Sequence, residues 1–148
     1  MHDFNAICAT LAARYAPGTL ATPAGGTAIR TAYGHAPHSL PATPAVVVMP
    51  QTGDVVPGSG EWTITHHVDV NFYLAKSQGD VTRNETQRQI WLPSLLSATL
   101  GAMTLSATIK SGLPTSYEFL ELSYGDQLYD GITIHLDMII REAVTMTA

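Results

Sequence analysis

The chain has 148 residues, the length of one ordinary domain, and 45% of them are apolar. Only 13% are charged and the net charge is −5, with seven Lys and Arg in all. Without a basic stripe to grip phosphates, tight nucleic-acid binding is not expected, and the single cysteine, Cys8, excludes an intrachain disulfide or a thiolate cluster for zinc.

One domain is expected over residues 1–148. Its surface must be finished largely by Thr, Ser, Asn, Gln and Gly, and so weakly charged a surface favours association between copies. The segment MHDFNAICAT has neither the basic stretch nor the apolar core of a secretory signal. No run approaches the ~18 apolar residues of a membrane span. A protein that matures in a cytosol is the expectation.

In chain order, residues 3–16 read as an amphipathic helix. Phe4, Ile7, Cys8, Leu11 and Tyr15 recur at spacings of three and four. Asp3 can cap it, and Pro17-Gly18 stops it. Cys8 lies on the apolar stripe and reads as a small core residue. Thr27–Tyr33 can form a short strand. Gly34–Pro44, with three prolines, reads as an extended loop. Ala45–Met49 is a compact β-branched run that reads as a buried strand ended by Pro50. Gln51–Gly60, with three glycines and Pro57, reads as a turn or mobile loop.

Glu61–Lys76 carries the clearest pattern. Trp62, Ile64, His66, Val68, Val70, Phe72 and Leu74 point to one face of a strand. Thr63, Thr65, His67, Asp69, Asn71, Tyr73 and Ala75 point to the other. Sixteen residues at ~3.3 Å each span about 50 Å. A compact domain of this size is roughly 40 Å across. The strand must therefore bend, carry a bulge, or project to a neighbouring subunit.

Residues 80–101 read as helical in two pieces, divided at Pro93, with a capping box at Thr82–Glu85 and a stop at Gly101. Met103–Lys110 alternates weakly and reads as a strand. Ser111–Pro114 reads as a loop, Tyr117–Tyr124 as a strand and Gly125–Gly131 as turn-rich. A final strand follows at Ile132–Glu142. Ile132, Ile134, Leu136, Met138 and Ile140 face one way, and Thr133, His135, Asp137, Ile139 and Arg141 the other. The order predicts an α+β domain. A mostly antiparallel twisted sheet should carry the N-terminal helix and a crossover helix on one face, with one parallel pair possible.

No nucleophile motif or phosphate-binding loop is present, and no cofactor is expected. His35 and His38 lie three apart in the Pro-rich loop and do not make a metal site by themselves. His66 and His67 are adjacent on a strand and point to opposite faces. If the two long strands pair, His67, Asp69, His135 and Asp137 share a face. That quartet is the best cluster for a metal or acid–base site; the plainer reading is a polar sheet surface or subunit contact. Trp62 and Trp91 read as core or interface anchors.

The layout resembles the tail terminator and head-to-tail connector proteins of long-tailed bacteriophages. The resemblance is carried by the short N-terminal helix, the strand Pro44-Ala45-Val46-Val47-Val48 and a Gly-rich loop. The long strand Trp62–Leu74, the helix around Thr82–Leu100 and the closing segment Tyr129-Asp130-Gly131-Ile132-Thr133-Ile134-His135-Leu136 complete it. It implies a structural, non-enzymatic virion protein, assembled in the host cytoplasm. Six copies would form a ring that ends the tail tube and meets a head-completion protein, with DNA passing through unbound. Segments 34–44 and 51–60 would order on docking. The expected subunit or partner interface comprises Trp62, Ile64, His67, Asp69, Asn71, Tyr73, His135 and Asp137. A tail-tube or other connector subunit is the alternative, and a small metal-dependent enzyme using His67, Asp69, His135 and Asp137 is a third reading.

Overall fold

A computed structural model describes residues 3–77, 79–100 and 109–143. Helix α1 (Phe4–Ala13) precedes strands β1 (Thr31–Tyr33), β2 (Ala45–Pro57) and β3 (Glu61–Lys76). Helix α2 (Val81–Leu100) follows, then β4 (Ile109–Tyr124) and β5 (Gln127–Ala143). The five strands form one sheet in the order β1-β2-β3-β5-β4. Only β1 and β2 are parallel, and every other pair is antiparallel. The α+β class and mostly antiparallel sheet are as expected. The parallel pair, however, is closed by the 34–44 loop, not by the helical crossover.

Alternation decides what the sheet buries. Val46, Val48, Val68, Val70, Phe72, Ile132, Ile134 and Leu136 turn to one face. There they pack with Ile7, Leu11 and Tyr15 of the α1 region and with Trp91 and Leu95 of α2. Both helices thus lie on one side of the sheet, and the long α2 reaches from β3 back over β5 to begin β4. Asp3 caps α1 by accepting from the Ala6 amide. The cap of α2 is Asp80, which accepts from the Arg83 amide at 3.1 Å; the Thr82 capping box is not used.

Several boundaries depart from expectation. Strand β2 does not end at Pro50 but runs through it to Pro57, so Gln51–Pro57 is strand where a loop was expected. Beyond Val47, β2 has no outer strand partner among the described residues. On such an edge a proline is tolerated, because its nitrogen can face the open side. A bulge at Gln51, between Pro50 and Thr52, resets the register.

Helix α2 is continuous through Pro93, which is exposed at its surface. Pro93 cannot donate to the Gln89 carbonyl, and Gln89 is itself exposed. Strand β4 includes the expected loop 111–114, accommodated by bulges around Lys110 and Thr115. Strand β5 starts at Gln127, after a tight turn in which Gly125 takes φ 59°. Gly101 and residues 103–108 lie outside the described residues.

Strand β3 spans Glu61–Lys76, matching its sequence pattern. It carries a bulge at Leu74 opposite β5. Its first half also extends to where β2 is exposed throughout, at residues 50–57.

Candidate functional site

The helix-free face of the sheet has two parts. At one end, Val47, Tyr73 and Tyr129 are buried beneath Tyr33, Leu40, Met49, Leu122 and Tyr124. The Tyr73 ring meets Tyr124 and Tyr129 edge-on at 5.5 and 5.7 Å, and the Tyr124 hydroxyl donates to the Pro37 carbonyl. The Pro-rich 34–44 segment is thereby pinned over this end. Burial raises the Tyr73 phenol above its ordinary pKa.

The other end is open and polar. The register of β3 against β5 sets His67 opposite Asp137 and Asp69 opposite His135. Directly opposed residues share a face, so the four side chains meet in two pairs. His67 Nδ1 lies 2.7 Å from Asp137 Oδ1, and His135 Nδ1 lies 2.6 Å from Asp69 Oδ1. The next rung is uncharged: the Thr133 hydroxyl donates to Asn71 Oδ1 at 2.8 Å, and Asn71 Nδ2 donates to Met49 Sδ.

A fifth member of this ladder comes from β2. Asp54 Oδ2 lies 2.8 Å from His67 Nε2. Strand β3 is central, so His67 touches a carboxylate on each flanking strand. Asp54 is 75% exposed and Asp137 37%. Both carboxylates favour the imidazolium by hydrogen bonding, Asp54 most, and raise the His67 pKa above 6.5; slight desolvation opposes them. Glu118 on β4 stands 4.0 Å from His135 Nε2. Among the described residues, no cluster of three or more His, Cys, Asp or Glu side chains has metal-binding geometry. In the ladder, carboxylate oxygens take up both His67 nitrogens and the Nδ1 of His135.

Of the residues expected at an interface, Trp62 and Ile64 are half-buried on the helix-bearing face. His67, Asp69, His135 and Asp137 are half-buried on the open face, while Asn71 and Tyr73 are buried within the protomer. Asp54 escaped the sequence reading because its neighbours Gly53 and Pro57 signal a loop. The available signal was the alternation Thr52-Asp54-Val56, which continues a strand across the bulge.

Elsewhere, the side chains of α2 act as fasteners. Gln87 accepts from the Thr27 amide and donates to the Gly25 carbonyl, while Trp91 Nε1 donates to the Thr27 carbonyl. Asp130, 12% exposed in its side chain, accepts from Asn84 at 2.7 Å and from Arg88 at 3.2 Å. A cleft of about 330 Å³ opens beside this anchor, lined by Lys76, Asp80, Arg83 and Asn84 among others. Cys8 is buried and burial pushes its thiol up to about 11, which disfavours the nucleophilic thiolate. Among the described residues, no helix is long and apolar enough to cross a membrane.

In comparisons with known proteins, no family model matches the chain and no curated protein matches it significantly.

Proposed function

We propose that the chain is a structural protein that assembles into a ring, of the kind that ends the tail tube of a long-tailed bacteriophage and joins it to the head. One observation carries this reading: among the described residues, β2 beyond Val47 and β4 are open edges of the sheet, and they run in opposite directions. β2 is antiparallel to β3, β3 to β5 and β5 to β4, so β2 and β4 themselves run oppositely. When copies related by a rotation axis stand side by side, β2 of one meets β4 of the next as an antiparallel pair. A closed ring then covers both long edges, which an exposed strand otherwise leaves open to uncontrolled pairing.

The prolines of β2 support a controlled contact of this kind. Pro50 and Pro57 fit the strand only with their nitrogens turned outward. By alternation across the bulge, Gly53 and Val55 then present the outward N–H groups between them. A narrow window of donors, bracketed by prolines, suits one defined partner and resists open-ended pairing. Val55 and Val56 are exposed apolar residues in that window, as are Leu113 and Tyr117 on β4. The net charge of −5 suits a channel through which DNA slides without adhering.

The partners in this reading are further copies of the chain, the tail-tube protein and a head-completion protein. Adding the purified chain to growing tail tubes tests it. A terminator fixes tube length and sits at the end. Tubes that lengthen by incorporating the chain itself would instead make it a tube subunit.

A further inference from the structure

We propose that His67 is a proton-operated latch that fastens the exposed β2 arm, through Asp54, to the body of the sheet, through Asp137. The geometry carries the proposal. Both ring nitrogens of His67 lie within 2.8 Å of a carboxylate oxygen. An imidazolium donates from both nitrogens and satisfies both contacts. A neutral imidazole has one N–H and one lone pair, so one carboxylate would face a lone pair instead of a donor. Asp137 is the less exposed of the two, so its contact keeps the remaining proton, and Asp54 is released to water.

The surroundings favour the charged form. Around His67, β2 contributes Asp54, β5 contributes Asp137 and His135, and β3 itself contributes Asp69, which is held by His135. Glu118 of β4 lies beyond His135, and the Glu61–Arg141 pair sits at the strand ends, 3.5 Å apart. His66 turns to the opposite face, where it stacks on Phe4 at 3.9 Å. The residues paired with Asp54, Asp69 and Asp137 are all imidazoles, so protonation offsets charge that no Lys or Arg of the described ladder neutralises. The sign follows. The folded pKa of His67 lies above its ordinary 6.5. The latch is fully closed below about 6.5 and opens as pH rises through the higher folded value.

The arm so controlled is the edge used in the ring reading, but the latch does not depend on that reading. Hydrogen-exchange protection factors, which remove the intrinsic pH dependence of exchange, test it on the whole chain. The amides of Thr52, Asp54 and Val56, which alternation turns toward β3, should lose roughly two- to tenfold protection between about pH 6 and pH 9. In His67→Gln they should be equally protected at both, and in His135→Gln the wild-type loss should persist. Ring titration by NMR should place His67 above the ordinary histidine value in wild type and lower it in Asp54→Asn. Arm protection that is the same at both pH values in wild type, or a His67 ring titrating at or below 6.5, overturns the latch. Native mass spectra of the same samples report assembly separately, so a monomer with a working latch would count against the ring alone.

Discussion

Asp130 is anchored by both Asn84 and Arg88, and its replacement is an informative change at the residue scale. Asp130 and Arg88 are each 12% exposed in their side chains. Arg88 Nε already has no hydrogen-bond partner. Asp130→Ala would leave the guanidinium with Glu85, 3.3 Å away and 48% exposed, and with the Leu120 carbonyl. Breaking a buried pair costs about 3–5 kcal/mol, and the remaining partners place this change near 3. Urea unfolding checks the value, and a loss below about 1 kcal/mol would show that the anchor does not hold α2 to β5. Sequence alternation alone brought His67, Asp69, His135 and Asp137 to one face, because period two and a shared register leave little freedom. It could not find Asp54, since glycine and proline read locally as a turn and only the edge position makes them compatible with a strand.

At the scale of elements, β3 and β5 were the most legible because their alternating rows are long, interrupted only by His66 in β3. β2, β4 and α2 were less so, and in each the obstacle was proline. Pro50 and Pro57 occupy an edge, Pro114 adjoins a bulge, and Pro93 sits on an exposed turn of helix. The edge and bulge sites need no ladder bond from proline, and at Pro93 the carbonyl left over lies on an exposed turn. Gly131 is a different case, since only a missing side chain fits there. A Cβ would collide with the Phe72 carbonyl oxygen and the Leu122 side chain. Because one obstacle is backbone, Gly131→Ala should cost about 2–3 kcal/mol, read as a lowered unfolding midpoint. A neutral result would mean that β3 and β5 can part locally without loss.

For the whole molecule, the question is how the open edges of β2 and β4 are closed. Val55 lies two residues before Pro57 and shares its orientation, so Val55→Pro removes an outward N–H while sparing the ladder to β3. The variant should keep the wild-type circular dichroism spectrum and lose assembly. Assembly that survives the change would place the contact elsewhere. Nothing in composition alone indicated two antiparallel edges; they follow from strand order, which depends on contacts far apart in the chain.

Native mass spectrometry of the purified chain, read across concentration below pH 6.5, tests the ring most directly. A single closed species is predicted, with six subunits expected, and Val55→Pro should appear as monomer. A strict monomer at every concentration, or an open series of ever larger oligomers, would contradict it.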